Sequence, residues 1–370
     1  MSPTYEDLRQ DILTFDPSRP IGDNYTPPAS WYTHPRFLEI EKETVFRNHW
    51  LVVGRSDQVA EIGSYFTSSH MGRPIVVVRD EAHVLRAFYN VCSHHGTCVA
   101  RGEGKTEGLV CPYHGWTYSL DGQLRKAPRA GAIQDLLKKN LGLKSLPVKH
   151  WGPLILVHFG TQEDKSLPAG LEDLQTLMAF DGLNFVKRVS YPMNCNWKVF
   201  IDNYLDGGYH VPHMHKALAA NLEFNSYQTE LSEFYSVQSC RARDEAGRLG
   251  NLANYAWIYP AFTLNRYGRW LDTNLVLPLD TRRCIVIFDY YYEGDPTGLL
   301  EGALADSHLV QQEDNEVCDL VQAGLESGVY ERGIYAPRYE TPMYHFHQLL
   351  AQDLRSALGE NTNIGSEQCP

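Results

Sequence analysis

Two short pairs of cysteine and histidine constrain the fold of this chain more than any other feature of its sequence. The first pair is Cys92-x-His94 and the second is Cys111-x-x-His114, with sixteen residues between the pairs. Each pair follows a predicted strand, so each is expected on a loop. Two thiolates and two imidazoles suit either a tetrahedral zinc ion or a two-iron cluster in which the cysteines hold one iron and the histidines the other.

The order of the ligand types along the chain favours the two-iron cluster. The common zinc pattern pairs Cys with Cys and His with His, whereas each loop here supplies one of each. The context of the second pair, Cys111-Pro112-Tyr113-His114-Gly115-Trp116, resembles the second loop of Rieske [2Fe–2S] proteins. This resemblance implies Cys92, His94, Cys111 and His114 as the cluster ligands, with structural zinc as the alternative.

Two residues close to these pairs are expected to stay outside the ligand set. Some high-potential Rieske proteins carry a disulfide that staples their loops, but Tyr113 occupies the neighbourhood where a partner for Cys98 is expected. We therefore predict that Cys98 is a free thiol. His95 is expected to cover the cluster or to hydrogen-bond nearby, because the pattern does not assign it as a ligand.

The sequence contains no nucleotide-binding fingerprint that could feed electrons to such a cluster. Gly104-Lys105-Thr106 is similar to the end of a phosphate-binding loop, but Val99 stands where that loop needs its first glycine. The dinucleotide pattern also fails, because Glu107 stands where the third glycine is required. Another protein, a ferredoxin or a ferredoxin-like reductase, is therefore expected to supply the electrons.

Composition and charge exclude several classes of partner. Lys and Arg number 33 against 45 Asp and Glu, so the formal net charge is −12 and nucleic-acid binding is disfavoured. No apolar stretch approaches the roughly 20 residues that cross a bilayer, and the N-terminal residues are acidic without an apolar region. The protein is expected to act in the cytoplasm without a membrane, or in the chloroplast stroma if a transit peptide has been removed.

Local patterns divide the 370 residues into three parts. Residues 1–44 are expected to form an extended, proline-containing arm and a helix that starts near Pro35. Residues 45–160 consist of short β-branched and aromatic runs, which predict an all-β domain, and the polar stretch 161–170 is expected to link it to the next domain. Residues 170–370 mix helices, after Trp197 and over about 300–327 and 344–358, with strands around 257–262, 275–279 and 285–292. Helices grouped against an antiparallel sheet give an α+β class.

A second group of possible ligands lies in the segment 202–215, which holds three histidines and two aspartates. A non-haem iron that activates oxygen takes two imidazoles and one carboxylate on one face. Regular helix geometry pairs His210 with His213, three positions apart. However, Pro212 disfavours a helical conformation at Val211, so a bend there would allow His215 to turn back towards His210.

From His34 to His347 the chain resembles the alpha subunits of Rieske non-haem iron oxygenases. The segment above follows the Cys/His pairs by about a hundred residues and matches the His-x4-His iron site of that family. The resemblance implies His210 and His215 as iron ligands, His213 as a bystander, and a third ligand on a long downstream helix, which Asp314 matches. It also implies a helix-grip catalytic domain, an antiparallel sheet covered by helices.

One position departs from the pattern of that family. Many members carry an acidic residue three positions before the first iron histidine, where it bridges the cluster of a neighbouring subunit to the iron. That position is Gly207 in this chain. Asp206, four positions before His210 and therefore on the same helical face, is expected to replace it, with Asp202 one turn further back as the alternative.

The segment 202–212, together with 265–268 and 289–292, is similar to the choline-oxidising branch of the family. This implies hydroxylation of choline to betaine aldehyde hydrate with O2 and reduced ferredoxin, in glycine betaine synthesis. Aromatic rings attract quaternary ammonium groups through cation–π interaction, although rings that alternate on strands commonly belong to the core. The candidate rings of the second domain are Trp257, Tyr259, Tyr267, Trp270, Tyr290, Tyr291 and Tyr292.

Two other functions remain open at this point. The chain could be an oxygenase that N-demethylates or hydroxylates carnitine, glycine betaine, proline betaine or an aromatic compound, with the same metal sites and a different pocket. It could also be a Rieske electron carrier with an inactive second domain. By analogy with the family, we expect a homotrimer.

Overall fold

The computed structural model describes residues 5–131, 141–160, 166–243 and 249–359. The chain forms two compact units, one of Arg47–Phe180 and one that combines Met1–Phe46 with Asp181–Pro370. The domain limits 1–44, 45–160 and 170–370 remain predictions, and residues 161–165 of the polar stretch lie outside the described residues. Among the helices described, none has both the length and the apolar character needed to cross a bilayer.

The elements follow one another in this order along the chain. The first helices are α1 (Tyr5–Thr14), α2 (Ser30–Thr33) and α3 (Pro35–Asn48). The next strands are β1 (Trp50–Arg55), β2 (Ser64–His70), β3 (Arg73–Arg79), β4 (Leu85–Tyr89), β5 (Glu103–Lys105), β6 (Leu109–Val110), β7 (Thr117–Tyr118), β8 (Leu124–Lys126), β9 (Ser145–Leu146), β10 (Val148–Trp151) and β11 (Leu154–His158). Then come α4 (Leu171–Leu177), β12 (Leu183–Met193), α5 (Trp197–Tyr204), α6 (Val211–Met214), α7 (Lys216–Ala220), β13 (Gln228–Leu231), β14 (Tyr235–Arg241), β15 (Leu252–Ile258), β16 (Phe262–Tyr267), β17 (Trp270–Pro278), β18 (Cys284–Glu293), α8 (Leu300–Glu326) and α9 (Thr341–Ser356).

The unit of residues 47–180 is built from three small antiparallel sheets. Their strand orders are β1-β11-β10, β5-β2-β3-β4-β9 and β6-β7-β8. In β3 the four residues 75–78 are fully buried and β-branched, a composition that suits a pleated strand with packing on both faces. The short strands leave the segments after β4 and β6 as loops, and these loops carry the two Cys/His pairs.

The second unit contains a seven-stranded antiparallel sheet in the order β12-β18-β17-β16-β15-β14-β13. Helices α5, α8 and α9 cover one face of it: Tyr204 of α5 bonds to the backbone of β15, Ser307 of α8 to Tyr290, and Phe346 of α9 packs on Trp257. The predicted α+β class, a β-rich N-terminal domain and an antiparallel sheet with helices, is confirmed.

Two local predictions were wrong. Residues 5–14 form helix α1 rather than an extended arm, because Leu8, Ile12 and Phe15 recur at helical spacing and are buried, and the prolines begin only at Pro17. The single strand expected around 257–262 is instead the end of β15, a turn at 259–261 and the start of β16.

Candidate metal centres and substrate cavity

The two Cys/His loops share one backbone frame. In the first loop the Cys92 N–H donates to the Thr97 carbonyl (2.8 Å) and the Gly96 N–H donates to the Cys92 carbonyl (2.9 Å). In the second loop, Cys111 and Gly115 make the equivalent bonds at 2.8 and 3.0 Å, the first of them to Trp116. Gly96 and Gly115 both have left-handed backbones, at φ 78° and 72°, a conformation that glycine adopts without strain. The same pair of main-chain hydrogen bonds therefore closes each six-residue loop.

These loops bury their sulfur atoms and expose their imidazoles. Cys92 and Cys111 are each 2% exposed, whereas His94, His95 and His114 are exposed and offer ring nitrogens within 4.8 Å of one another. The His94 ring stacks on Trp116 at 4.5 Å with an interplanar angle of 5°, which fixes its orientation. Two buried thiols behind a pair of imidazoles form a donor set that fits a [2Fe–2S] cluster.

A tyrosine lies behind the first loop. The Tyr118 hydroxyl lies 3.2 Å from the Cys92 sulfur and accepts the Ser93 N–H at 3.0 Å. Burial and the hydrogen bond to Cys92 raise the pKa of Tyr118 to about 12. The phenol therefore keeps its proton at neutral pH and can donate it to the sulfur. Sequence reasoning did not single out Tyr118, because only the pairing of β6 with β7 places it there.

The second candidate centre combines His210, His215 and Asp314. The two Nε2 atoms are 3.0 Å apart. The Asp314 Oδ1 lies 3.1 Å from the His215 Nε2 and 3.8 Å from the His210 Nε2. His210 directly precedes α6, His215 stands between α6 and α7, and Asp314 projects from the middle of α8. Two imidazoles and one carboxylate that converge in this way fit the ligand set of a mononuclear non-haem iron.

Each ligand of this group is oriented by a polar neighbour. The His210 Nδ1 lies 2.6 Å from Asp206 and the His215 Nδ1 lies 2.6 Å from Glu313. The Asn203 side chain donates to the Asp314 Oδ1 at 2.7 Å. Carboxylates on the outer nitrogens fix the tautomer that leaves both Nε2 atoms free to bind a metal. Sequence reasoning missed Glu313 and Asn203, whose roles depend on how α8 faces α5 and α6.

The chain separates His210 from His215 at a different point from the one predicted. Pro212 lies in the first turn of α6, where its missing N–H removes no helical hydrogen bond. The break comes at His215 itself, with φ −104° and ψ 64°, before α7 begins. His213 is exposed and lies outside the converging group. The bend attributed to Pro212 was therefore misplaced by three residues, although His210 and His215 do meet.

Asp206 contacts His210 through a turn rather than along a helix face, because α5 ends at Tyr204. Its Oδ2 also accepts the backbone N–H of His210 at 2.9 Å, and its Oδ1 is buried without a hydrogen-bond partner among the described residues. A Cβ at Gly207 would lie 2.0 Å from the Tyr339 carbonyl oxygen. The position three before His210 therefore has no room for a carboxylate.

Asp202, the alternative to Asp206, is held by other partners. Its carboxylate accepts the Tyr32 hydroxyl at 2.7 Å and lies 2.9 Å from the His347 Nε2. The same His347 contacts the Tyr335 hydroxyl at 2.7 Å through its other nitrogen. Asp202 thus belongs to a separate hydrogen-bonded cluster beneath α5.

A cavity of about 170 Å³ opens beside His210, His215 and Asp314. Its aromatic lining comes from α5, from the segment before β13, and from three strands of the sheet. The rings are Phe200, Tyr204, Tyr227, Tyr255, Tyr267 and Phe288.

Of the seven rings predicted to meet the substrate, Tyr267 lies in the described lining of this cavity. Trp257 and Tyr259 pack against Phe346 of α9. The rest lie within or against the sheet: Tyr290 bonds to Ser307, Tyr291 packs on Phe185, and Tyr292 on Trp270.

A polar cluster that sequence reasoning did not predict lies in the same cavity. The carboxylate of Asp272 accepts the Tyr267 hydroxyl, the Asn265 amide (2.7 Å) and the Asn274 amide (3.4 Å). Tyr204 donates to Asn265 at 2.7 Å. Burial raises the pKa of Tyr204 well above its usual range, and the negative charge of Asp272 raises it further. The available signal was the polar pair Asp272 and Asn274, two positions apart in an otherwise apolar strand.

Two regions of the chain match models of known protein families. Residues 49–147 match the Rieske [2Fe-2S] domain, and residues 180–356 match the catalytic domain of the ring hydroxylating alpha subunit. The matched regions contain the Cys/His loops and the His–His–Asp group, respectively.

Similar proteins extend this match over most of the chain. Choline monooxygenase, chloroplastic, from Arabidopsis thaliana is 43% identical over 371 residues, which cover 94% of this chain and 87% of that protein. The carnitine monooxygenase oxygenase subunit of Escherichia coli is 28% identical and covers 89% of this chain and 93% of its own length. The crystal structure of a quaternary ammonium Rieske monooxygenase, CntA, superimposes with a TM-score of 0.81 at 27% identity, over 89% of this chain and 95% of that one.

Proposed function

Because this chain belongs to the Rieske non-haem iron oxygenase family of alpha subunits, with a Rieske [2Fe–2S] domain and a non-haem iron catalytic domain, we propose that it hydroxylates choline to betaine aldehyde hydrate. The chain is related both to choline monooxygenases and to carnitine monooxygenases. The higher identity to the first group supports choline as the substrate.

The observation that carries this proposal is the aromatic cavity beside the His–His–Asp group. Six rings line it, and a quaternary ammonium group is attracted to such rings by about 0.5 to 2 kcal/mol per ring. Apolar side chains that include Val211, Leu218 and Leu222 also line this cavity. A small cation held by these rings would place its carbon atoms beside the metal group.

Each residue of the two centres then has a definite task. When bound, the cluster supplies single electrons and the iron supplies the activation of O2. Cys92, His94, Cys111 and His114 would hold the cluster, and His210, His215 and Asp314 would hold the iron. Asp206 and Glu313 keep the outer nitrogens of the iron histidines protonated and their rings in place.

The proposed partners follow from the same assignment. The chain carries no nucleotide-binding fingerprint, so a ferredoxin or a ferredoxin-like reductase is proposed as the electron donor. In a homotrimer, Asp206 would form part of the bridge between the cluster of a neighbouring subunit and the iron, since its Oδ2 lies 2.6 Å from the His210 Nδ1. The proposed location is the cytoplasm, with the chloroplast stroma as the alternative, since the plant relatives are named chloroplastic.

A second candidate function is oxidation or N-demethylation of another quaternary ammonium compound. The carnitine monooxygenase relatives and the fold match to CntA support it. Carnitine, glycine betaine and proline betaine offer the same cationic group to the aromatic lining. An aromatic substrate and a role as an electron carrier have less support, because a carrier would have no use for the His–His–Asp group.

Oxygen uptake by the iron-loaded protein with reduced ferredoxin distinguishes these functions. Choline, glycine betaine, carnitine and proline betaine are offered in turn, and products are identified by mass. Betaine aldehyde formed from choline in step with oxygen uptake is the expected result. Formaldehyde from another betaine, with choline inert, would move the function to N-demethylation. Two irons per chain instead of three would indicate an electron carrier.

A further inference from the structure

We propose that Asp272 is the residue that selects a cationic substrate, by holding the quaternary ammonium group in the cavity that the metal ligands also line. This inference rests on the proposed function and names the recognition element of the same site. Asp272 was not among the candidate substrate contacts predicted from the sequence, which were all aromatic rings.

The strand register places Asp272 in the cavity. Asp272 lies directly opposite Asn265 of β16 and Tyr290 of β18, on the sheet face that the helices cover. It is 1% exposed, yet it belongs to the lining of the cavity. Placing a carboxylate at such a site is costly unless its charge is compensated, by hydrogen bonds or by a cation.

The hydrogen bonds that Asp272 accepts suit a cation that cannot donate one. Tyr267, Asn265 and Asn274 are neutral donors, and they stabilise the ionised form and fix its position. A quaternary ammonium group has no N–H, so it needs no free lone pair on the carboxylate. Its attraction to Asp272 is Coulombic and adds to the attraction of the Tyr204, Tyr255 and Tyr267 rings.

Two adjacent residues of helix α5, Asn203 and Tyr204, link the candidate metal ligands to this carboxylate through hydrogen bonds. Asn203 donates to Asp314, and its neighbour Tyr204 donates to Asn265, which in turn donates to Asp272. A ligand in this cavity can therefore have its cationic end near Asp272 while another part of it faces His210, His215 and Asp314, which line the same cavity. Binding the charge at one end would thus orient the substrate at the other.

The test compares two ligands of the same shape and different charge. Choline and 3,3-dimethylbutan-1-ol differ in that a carbon atom of the second replaces the charged nitrogen. Their dissociation constants are measured by calorimetry on the oxidised, metal-loaded protein, without reductant, so that no turnover occurs. We expect the wild type to prefer choline, and Asp272→Asn to reduce this preference by at least about tenfold, or about 1.4 kcal/mol.

A matched control uses a carboxylate of the neighbouring strand. Asp289 is also buried but pairs with Arg188 at 2.6 Å, and the strand register puts it on the other face of the sheet. Asp289→Asn should keep the preference for choline even if it lowers the melting temperature. Asp272→Glu, which retains the charge, should restore most of the preference that Asp272→Asn loses.

Two outcomes with Asp272→Asn would overturn the assignment. If both ligands bind more weakly by the same factor, the residue only shapes the cavity. If neither dissociation constant changes, its charge plays no part in binding. Tetramethylammonium, a bare quaternary cation, is measured in parallel. Binding of this cation that depends on Asp272, together with a failure to oxidise choline, would refute the choline proposal and leave the assignment of Asp272 intact. If Asp272→Asn does not fold, Asp272→Glu still decides: loss of the preference in a folded Glu variant contradicts the proposal.

Discussion

The two candidate metal centres hold their histidines in opposite surroundings. In the Rieske unit the imidazoles of His94 and His114 are exposed and the sulfur ligands are buried behind them. In the catalytic unit His215 is 2% exposed, and both histidines are tied by their outer nitrogens to carboxylates. An exposed imidazole edge suits the passage of an electron to another protein. A pair of imidazoles oriented in this way, one buried and one partly buried, suits a metal held in a fixed geometry inside the unit.

The two centres also differ in how the backbone builds them. Each Rieske loop is a six-residue frame closed by its own hydrogen bonds, so its ligands lie close in sequence. The candidate iron group takes two residues from the two ends of α6 and the third from α8, about a hundred residues later. The first centre therefore depends on local conformation, and the second depends on the packing of helices against one another.

The largest expected effect comes from the exposed centre. His94→Ala removes one of the four proposed cluster ligands, so the visible absorbance of the cluster and all turnover should disappear. Absorption spectroscopy and iron analysis measure the loss. A variant that keeps its colour would remove His94 from the ligand set, and the adjacent His95 would then be the first residue to examine.

The buried centre should lose its metal independently. His215→Ala should leave the cluster spectrum intact and remove the third iron of the chain, because only the catalytic unit is changed. His213→Ala is the matched control and should keep all iron, since His213 is exposed and outside the group. Loss of iron in His213→Ala instead would restore the pairing expected from a regular helix.

A smaller effect is expected at Asp206, the residue proposed to bridge the two centres. Asp206→Asn should retain both metals and slow reoxidation of the cluster in a single turnover by about 10–100-fold, the usual effect of losing an outer partner of a metal ligand. Rapid mixing with O2 after reduction measures the rate. Asp202→Asn serves as the comparison: a larger slowing there would transfer the bridging role to Asp202.

Glycine substitutions test how each centre is built. Gly96→Ala should cost about 1–2 kcal/mol of stability, because its left-handed backbone is disfavoured while no atom lies within 4 Å of the added Cβ. Gly207→Ala should cost more, because its Cβ also meets the Tyr339 carbonyl. Urea unfolding of both variants gives the difference, and equal costs would contradict the crowding described at Gly207.

Acid should weaken the Rieske unit through a histidine that is buried, unlike the exposed ligands. Burial lowers the pKa of His70 from 6.5 to about 4. Between pH 6.5 and 4, His70 binds a proton in the unfolded chain but not in the folded chain. The free energy of unfolding therefore falls as the pH drops through this range, by up to about 1.4 kcal/mol per pH unit. His70→Leu should flatten this part of the profile. An unchanged slope in urea unfolding between pH 7 and 5 would show that His70 does not cause it.

The difference between local and long-range construction also explains what the sequence could reveal. The Rieske loops were predictable because all their ligands fall within 23 consecutive residues, 92–114, with a distinctive order of types. The fold class followed from hydrophobic periodicity. Glu313 and Asn203 were not predicted, since their contacts depend on the rotation of α8 about its axis, which no local pattern specifies.

The cavity was predicted least well for the same reason. Its rings come from α5, from three strands and from the segment before β13, and alternation on a strand does not show which face meets a cavity. Tyr267 was named in advance, whereas Tyr204, Tyr227 and Tyr255 were not. The misplaced bend at Pro212 has a similar origin, because a proline in the first turn of a helix has no unfavourable effect on it.

The shared frame of the two Rieske loops has a consequence for how such a centre can evolve. The frame is closed by main-chain bonds and a left-handed glycine, so it sets few requirements on the side chains between them. The first loop already carries histidine at both the third and the fourth positions, as His94 and His95, whereas the second carries it only at the fourth. A single scaffold thus accommodates a ligand at either of two adjacent positions. A protein engineer could therefore move a histidine by one residue while keeping the main-chain hydrogen bonds that close the loop.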